Sequence, residues 1–495
     1  MRALRGRSIA RGTRLRSSVF EVRGAACPLR ATAGYGPRYA RGCRAPENPV
    51  RTLARARAEA GARAAIARTR RAHPPRETPA SPGAPACGHS PILMMPMKIL
   101  TEFRAATPAV RLHAGEAALD NLGGEAARLR ASRAFVVCGR SVATRTGLLA
   151  LVRDRLGPAF AGAFDAMGKD SPWPDVQAAV AAAREAGADL LVAVGGGSVI
   201  QATRVVAILL AEQGDPMRMI TQYPDEGPAI SPRLMAPKVP IINVCTVGTS
   251  ATHRGGSAVK NDALDHRMEF FDPKTRPAVV YWDHRALSTA PVSLALASGF
   301  AIWWRALLSL GAEGMNPLVE GNRRQAWVLA DRALPALLAA PADPRPRVEL
   351  CAAAWLQNRD ADDGGPTFEK HWVQRVTYAF STALFIRHPE IAQGHAHAAL
   401  TPAVLRELGD RDPGPMRAIA EALGVPGDEP HRRAADACSA RASALGLPVR
   451  LSALGVPRAV LPQLVQDSLK NFNADPKREF AREAGRLLEV IEAAW

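Results

Sequence analysis

Cysteine is scarce in this chain of 495 residues, and its seven cysteines follow no metal-binding spacing. Three of them lie within the first 93 residues, and four stand singly between apolar residues further along. Scattered single cysteines do not supply the paired ligands of a zinc motif. We therefore expect the last four to be buried thiols in a reducing cytoplasm. The seven are Cys27, Cys43, Cys87, Cys138, Cys245, Cys351 and Cys438.

Lysine is missing from residues 1–93, which hold 19 arginines and only four acidic residues. This segment carries a net charge of +15, out of +18 for the whole chain. The other 402 residues are close to neutral, at +3. A DNA-binding hypothesis therefore depends on the leader alone, and we expect no nucleic-acid partner for the body of the protein.

The leader also lacks an apolar run long enough for a signal peptide or a membrane span. Its arginine content suits a transit peptide, but it has no sustained apolar period of the kind that an amphipathic helix requires. We interpret residues 1–93 as a disordered leader that precedes a mis-assigned start. On this hypothesis Met94, Met95 or Met97 opens the protein, which then begins with "MKILTEF" after a short lead.

Short apolar runs alternate with alanine-rich helical stretches from about residue 110 to 285. Buried strands are predicted within 133–139, 189–198, 239–250 and 277–283, and helices follow several of them. This alternation is typical of a parallel sheet covered on both faces. We predict an α/β domain over residues 94–288.

Strand-like runs disappear after about Pro291, where long alanine- and leucine-rich segments at helical spacing take over. We predict an all-helical domain over residues 289–495. The expected helices span 292–313, 317–340, 346–360, 367–386, 395–408, 415–424, 430–445, 459–472 and 477–495.

The segment "VAVGGGSVIQATR" (192–204) is the strongest local signal. Gly195, Gly196 and Gly197 allow backbone N–H groups to approach a pyrophosphate, and Ser198 can cap the helix that follows. It fits neither the GxGxxG nor the Walker A pattern, and by itself it is equally typical of a plain strand–helix turn. A second turn, "CTVGTSAT" (245–252), ends another predicted strand. Two such turns at the carboxyl ends of parallel strands favour a nucleotide cleft.

These motifs, in this order, resemble the iron-containing alcohol dehydrogenases over residues 97–495. "GADLLVAVGGGSVIQATRVVA" is similar to the family's strand–GGGS–helix, and "PIINVCTVGTSAT" to its second turn. The resemblance implies an N-terminal dinucleotide-binding domain, a helical C-terminal domain and hydride transfer with NAD or NADP. It also implies a homodimer. The cofactor-binding residues carried over are Gly195, Gly196, Gly197, Ser198, Thr246, Gly248 and Thr249.

Several positions depart from the family pattern. Gln201 and Arg204 replace an Asp and a Lys after the phosphate turn, and Ser250, Ala251 and Thr252 replace Gly, Ser and Glu in the second turn. The family's metal ligands are Asp and His at i and i+4 of one helix and two later His. The resemblance places these four ligands at Ala301, Arg305, Ala379 and Gln393. Methyl, guanidinium and amide groups do not assemble a divalent metal site, so we predict that the family's iron or zinc is absent.

Arg305, in "SGFAIWWRALLSL" (298–310), suggests a substitute for the metal. A guanidinium stays protonated and can polarise a carbonyl or hold a carboxylate. The alternative is an exposed or salt-bridged helix residue. Trp303 and Trp304 suit either a wall for nicotinamide or a helix core.

A metal-free reaction still needs a group that handles the hydroxyl proton. His371, His395 and His397 are the candidates, with Tyr378 as a further one. His388 belongs to the same histidine-rich stretch. Surface or helix-terminal histidines and a relocated metal are the alternatives.

The sequence thus predicts a cytoplasmic NAD(P)-dependent oxidoreductase that interconverts an alcohol and an aldehyde, ketone or keto acid without a metal. Its expected partner is a small alcohol or carbonyl substrate, which in one variant of the hypothesis carries a carboxylate. We expect no membrane association. The family resemblance allows for the missing metal, because metal-free relatives exist among the maleylacetate reductases, whose substrates are keto acids. The alternative is a catalytically degenerate member that acts as a nucleotide-binding sensor or scaffold.

Overall fold

A computed structural model describes residues 99–224, 229–264, 266–365 and 370–495. The predicted leader over residues 1–93 and the candidate start methionines lie outside the described residues. From residue 99 the chain alternates strands with helices, and from Val292 onward the described chain is helical. This is the predicted fold class: a Rossmann-like parallel sheet followed by a helical region.

The sheet has six strands in the order β1-β8-β5-β4-β2-β3, and every neighbouring pair is parallel. Four of these strands coincide with the predicted apolar runs. The strands are β1 (Arg111–Gly115), β2 (Ala134–Cys138), β3 (Phe160–Phe164), β4 (Leu190–Gly195), β5 (Ile241–Cys245) and β8 (Val279–Asp283). The helices of this part are α1 (Leu122–Arg128), α2 (Arg140–Arg145), α3 (Leu148–Leu156), α4 (Trp173–Glu185), α5 (Gly197–Ala211) and α6 (His284–Leu287).

Both faces of the central strands are buried, because alternate side chains of β2 and β4 enter two different cores. Phe135 and Leu191 belong to the core that contains α5, whereas Val136 and Val192 belong to the core beneath α1 and α3. A strand covered on both sides needs a continuous apolar run, and that run is the signal by which these strands are recognised in the sequence.

The edge strands β1 and β3 were not predicted, because both are partly exposed and lack such a run. Between β5 and β8 the chain also forms an unpredicted antiparallel ribbon, β6 (Gly256–Val259) with β7 (Met268–Phe271). Strands of four residues carry too little alternation to be recognised.

The strand order reverses between β2 and β4. From β2 the chain moves outward to β3, crosses back to β4 and then continues outward in the other direction through β5 and β8. The crevice at such a reversal, beyond the carboxyl ends of the strands, is where open α/β sheets bind ligands. The Gly195–Ser198 turn follows β4 and therefore lies at this switch point.

The helical region contains each predicted helix, but the helix predicted at 367–386 begins at Trp372, that at 459–472 ends at Ser468, and that at 477–495 begins at Ala484. Its first helix, α7, is long and apolar enough to span a membrane by length and composition, yet it is a core helix of which two thirds of the apolar window is buried. It packs between α8, α9 and α11. The helices are α7 (Val292–Leu310), α8 (Pro317–Ala339), α9 (Pro344–Asp362), α10 (Trp372–Arg387), α11 (Gln393–Leu408), α12 (Pro413–Ala422), α13 (Pro430–Ala444), α14 (Leu461–Ser468) and α15 (Ala484–Ala493).

The four described cysteines are free and buried, as expected: Cys138, Cys245, Cys351 and Cys438.

Candidate active site

The two glycine-containing turns lie in contact at the ends of the neighbouring strands β4 and β5. The Thr246 amide donates to the Gly195 carbonyl at 3.2 Å. A Cβ on Gly197 would lie 3.0 Å from Thr249 Oγ1, and one on Gly196 would lie 3.1 Å from a Val247 methyl. These distances are shorter than most Cβ contacts, so a side chain at either glycine would push its neighbour in the second turn by a few tenths of an ångström.

Ser198 does not cap α5, contrary to the expectation from sequence. The cap position is Gly196, and it makes no side-chain hydrogen bond to the helix. Instead, Ser198 Oγ accepts from the Asp170 amide at 2.9 Å and the Ser198 carbonyl accepts from Ser171 Oγ at 2.7 Å. The hydroxyl therefore fastens the loop after β3 to the phosphate turn. The first amides of α5 have no intrahelical acceptor, as at any helix start, and they suit an anion.

Gln201 and Arg204, two of the departures from the family pattern, have structural roles on α5. Gln201 Oε1 accepts from the Ala258 amide at 3.1 Å, and the buried Arg204 donates to Ser257 Oγ and to the Ala251 carbonyl. Both side chains hold the chain that follows the second turn against α5.

The second turn also contacts the helical region. Ser298 Oγ on α7 donates to the Gly248 carbonyl at 2.7 Å. A Cβ on Gly248 would come 3.1 Å from both Ile302 Cδ1 and the Leu350 carbonyl carbon. The cofactor-side turn and the helices α7 and α9 are therefore packed directly against one another.

Arg305 points from α7 toward this second turn. Its Nη1 donates to Asn358 Oδ1 at 3.0 Å and its Nη2 to the Gln357 carbonyl at 2.9 Å. Asn358 Nδ2 in turn donates to the Ser250 carbonyl at 2.9 Å. Asn358 thus connects the helix that carries Arg305 with the turn that touches Gly197.

A second guanidinium shares the same acceptor. Arg254 Nε donates to Asn358 Oδ1 at 2.9 Å, so one neutral amide oxygen binds two cationic side chains. Burial, followed by the charge of Arg254, lowers the pKa of Arg305 to about 9. Desolvation of the guanidinium also lowers the pKa of Arg254, although the residue as a whole is exposed. Both stay protonated at neutral pH, and the arrangement favours an anion between them.

Lys370 completes what we call the cationic cluster, defined as Arg254, Arg305 and Lys370. Its Nζ lies 5.7 Å from the centre of the Tyr378 ring. Burial, followed by the charges of Arg305 and Arg254, lowers the pKa of Lys370 to about 7. The nearby carboxylate of Asp360 is already bound by Arg323 at 2.9 Å. Within the described residues, no ion pair joins a member of the cluster to a carboxylate.

His371 is a structural residue, not the proton-transfer group proposed from sequence. It is buried at the start of α10, where Nδ1 accepts from the Gln374 amide and Nε2 lies 2.9 Å from the Leu308 carbonyl. Both ring nitrogens are thereby occupied by the backbone, which fixes one tautomer with the proton on Nε2. Burial also lowers the pKa of the His371 imidazole.

His397 is also a core residue. Its ring stacks on Trp304 at 3.8 Å, and it is 1% exposed. Burial lowers the pKa of His397 to about 3, so the ring is neutral at physiological pH. Trp303 and Trp304 are likewise buried, and Trp303 Nε1 donates to Asp331. Of the two interpretations of the tryptophan pair, the helix core is confirmed.

His395 lies half-buried in the first turn of α11, and burial followed by the charge of Lys169 lowers its pKa. Lys169 binds the Ile391 carbonyl at 3.0 Å and so links the loop after β3 to the start of α11. His388 lies in the loop before α11, and its Nδ1 is 3.2 Å from Glu390 Oε1. The histidines are therefore not gathered in one place. Of the sequence-predicted proton donors, Tyr378 packs against Lys370 of the cationic cluster, and His371 is its chain neighbour but has both ring nitrogens on the backbone.

Comparison with known proteins finds relatives of one family. The model of the iron-containing alcohol dehydrogenases matches residues 109–284. A maleylacetate reductase from Rhizobium sp. (strain MTP-10005) is 26% identical over 354 residues, which cover 72% of this chain and 87% of the relative. Long-chain-alcohol dehydrogenase 1 of Geobacillus thermodenitrificans is 23% identical, with 77% and 94% covered.

The fold agrees with this match along the whole body of the chain. The structure of an archaeal halo-thermophilic alcohol dehydrogenase from a Red Sea brine pool superimposes with a TM-score of 0.68 at 19% identity, and the alignment covers 81% of this chain and 100% of that one. The chain is therefore similar to the iron-containing alcohol dehydrogenases in sequence over its α/β part and in fold over its described length. The relatives include dehydrogenases and reductases, and this chain shares their fold.

Within the iron-containing alcohol dehydrogenase fold, the four positions aligned with the metal ligands lie on α7, α10 and α11. A Cβ on Gly394 would lie only 1.8 Å from the Ala297 carbonyl oxygen, so Gln393 and Gly394 begin α11 against α7, one turn before Ala301. Nowhere in the described chain do three His, Cys, Asp or Glu side chains come together in a way that could hold a metal ion.

Arg254, Asn358 and Lys370 were not predicted from sequence. Arg254 follows the quoted second turn by two residues, Asn358 lies inside an amphipathic helix, and Lys370 directly precedes His371. No spacing rule links the three, because long-range packing brings them together. An isolated arginine, asparagine or lysine in a helical region is typical of a solvated surface.

Proposed function

We propose that this protein is an NAD(P)-dependent oxidoreductase that interconverts an oxo acid and the corresponding hydroxy acid by hydride transfer, without a divalent metal. The observation that supports this most directly is the pair of guanidinium groups on Asn358 Oδ1. A cation-rich site next to the nucleotide turns suits a substrate that brings its own negative charge.

The residues of the two turns fit a dinucleotide. Gly196 and Gly197 have no side chain to cover the backbone amides at the start of α5, a helix of 15 residues. A pyrophosphate could approach these amides directly. Bound NAD(P)H supplies the hydride, and the protein orients it and handles the proton. The residues that would hold it are Gly195, Gly196, Gly197, Ser198, Thr246, Gly248 and Thr249.

A divalent metal does not fit the aligned ligand positions. Ala301 and Ala379 present methyl groups, Gln393 an amide and Arg305 a permanent cation, which repels a metal ion. The nearby acid Asp360 is engaged by Arg323. We therefore assign no step of the reaction to a metal.

The cationic cluster supplies the role of the substrate anchor. Arg305 offers a planar fork of N–H donors that matches a carboxylate, and Arg254 faces the same amide oxygen. An anion between them relieves the repulsion of two positive charges. Several relatives are named maleylacetate reductases, a name that denotes an anionic substrate.

We further propose a cytoplasmic homodimer whose partner is this small substrate, with no nucleic acid or membrane. The near-neutral charge of the body is the observation that speaks against a nucleic-acid partner.

The full-length protein tests the proposal in two steps. Dinucleotide binding is measured by titrating the protein with NADH or NADPH and monitoring energy transfer from tryptophan to the nicotinamide. Oxidation of the bound cofactor is then screened with oxo acids, with their methyl esters as matched neutral controls, and with simple aldehydes. We expect binding, and turnover that prefers the free acid over its ester by at least about tenfold.

Binding without turnover of any compound would instead favour the nucleotide-binding sensor or scaffold. Failure to bind either dinucleotide would contradict both functions.

A further inference from the structure

Lys370 is held in a fixed place beside Arg305 by its neighbour in the chain. His371 Nε2 bonds to the Leu308 carbonyl, and Leu308 lies three residues after Arg305 on α7. The start of α10 is thereby pinned to the same stretch of α7 that presents Arg305. The lysine side chain is half-buried and extends over the Tyr378 ring at 5.7 Å.

The charged groups around Lys370 come from four other elements. Arg305 lies on α7, Arg323 on α8, Asp360 on α9 and Arg254 in the segment after the second turn. Lys370 directly precedes the N-cap of α10, and it meets the aromatic face of Tyr378 on that helix. The carboxylate of Asp360 opposes the cations by raising the pKa of Lys370, but it is bound to Arg323 through Oδ2 and forms no ion pair with Lys370 in the described chain. Such an environment favours the loss of a proton from the ammonium.

The candidates for proton transfer that the sequence suggested do not compete for this role. His371 has both ring nitrogens on backbone groups, and His397 is enclosed against Trp304. His395 lies beside Lys169, where the loop after β3 meets α11. Lys370 is the residue in the cationic cluster that can exchange a proton, because a guanidinium does not do so near neutral pH.

We propose that Lys370 is the proton donor for carbonyl reduction, acting on the oxygen of an oxo acid whose carboxylate is held by Arg254 and Arg305. This inference rests on the proposed function and deepens it by assigning the proton. An ammonium in this position also carries the positive charge that faces the oxygen as negative charge develops there.

Bound NAD(P)H would supply a hydride, which forms a C–H bond at the carbonyl carbon while the electron pair of the C=O π bond moves to oxygen. That oxygen takes a proton from the Lys370 ammonium and becomes a hydroxyl. The cofactor is oxidised to NAD(P)⁺, and the neutral amine is protonated again from solvent. In the reverse direction the neutral amine accepts the hydroxyl proton.

The direction of the pH dependence follows from the depressed pKa. Burial and the two arginines lower the pKa of Lys370 to about 7, so the ammonium predominates below that pH and the amine above it. Reduction needs the ammonium, and its kcat/KM should fall as pH rises through about 7. Oxidation of the hydroxy acid needs the amine, and its kcat/KM should rise through the same range. These limbs report the free enzyme, since a bound carboxylate stabilises the ammonium.

Lys370→Arg is the decisive variant because it keeps the positive charge and removes the transferable proton. We expect kcat for reduction to fall by about 10²- to 10⁴-fold, dinucleotide affinity to stay within about twofold, and the limb near pH 7 to disappear. Lys370→Ala should lose similar activity and regain part of it with added ethylamine. Lys477→Arg, at an exposed lysine, is the matched control and should keep the wild-type rate and pH profile.

Two results separate this inference from the proposed function. A wild-type protein that reduces an oxo acid, with Lys370→Arg retaining kcat and the same pH limb, would overturn the role of Lys370 alone. A wild-type protein without turnover would overturn the inference together with the function. Thermal melting by circular dichroism shows whether a variant is folded, and amine rescue of Lys370→Ala supports proton transfer independently of any effect on folding.

Discussion

Arg305→Ala should lower kcat/KM for an oxo acid by about 100-fold or more while the affinity for NAD(P)H stays within about twofold. The variant removes a charged fork from the site and leaves Arg254 alone on Asn358 Oδ1. The loss should be much smaller for the methyl ester of the same substrate, because a neutral group gains little from the guanidinium. Steady-state kinetics with both substrates measures the difference.

Asn358→Asp is the complementary variant, because it places a negative charge between the two arginines without removing either. The carboxylate would strengthen both hydrogen bonds and compete with the substrate for the same cations. It would also lose the bond from Asn358 Nδ2 to the Ser250 carbonyl. We expect KM for the oxo acid to rise at least about tenfold, with the melting temperature maintained. Equal kinetics in both variants and the wild type would show that Arg305 is only a structural residue of α7.

Gly394→Ala should destabilise the protein severely, by about 3 kcal/mol or more. The added Cβ would lie 1.8 Å from the Ala297 carbonyl oxygen, a separation at which backbone has to move. This is the contact that brings the start of α11 against α7, so the change should also disturb the site. Chemical denaturation of the full-length protein, followed by circular dichroism, gives the free energy of unfolding.

Gly321→Ala is the matched control for this change. Gly321 also lies in a helix, α8, but a Cβ there meets no atom within 4 Å. Alanine in an open helical position is expected to stabilise by up to about 1 kcal/mol. If Gly394→Ala unfolds at the same denaturant concentration as the wild type, the close approach of α7 and α11 is wrong.

The central strands and most of the helices could be predicted because burial leaves a local signature. Strands β2, β4 and β5 are covered on both faces and appear as unbroken apolar runs. Helix α7 ends within three residues of its predicted end, and α8 and α13 within one. The edge strands β1 and β3 and the ribbon β6–β7 were not predicted, because a short or half-exposed strand has no such apolar run.

The phosphate turn could also be located from local sequence, because a strand, three glycines and a helix start follow one another directly. The role of Ser198 could not, since its partner Asp170 belongs to a different loop. Arg305 was identified only through its alignment with a metal-ligand position. Its partners Asn358 and Arg254 are separated from it by about 50 residues in each direction, and nothing in either segment signals the contact.

The histidines illustrate the opposite error. Their density in residues 371–397 attracted a functional interpretation, yet His371 and His397 support the helical core through backbone bonds and stacking. A lysine beside them, with no distinguishing sequence context, lies in the cationic cluster instead. Clustering of histidine along the chain does not place the rings together when a helix start, a helix interior and a loop each hold one of them.

The measurement that tests the central claim most directly is the rate of oxo-acid reduction by metal-free protein. The full-length protein is dialysed against a strong chelator, its iron and zinc are quantified by mass spectrometry, and kcat is measured on the same sample. The account predicts an unchanged kcat with far less than one metal ion per chain. Activity that disappears on chelation and returns with added zinc or iron would contradict it.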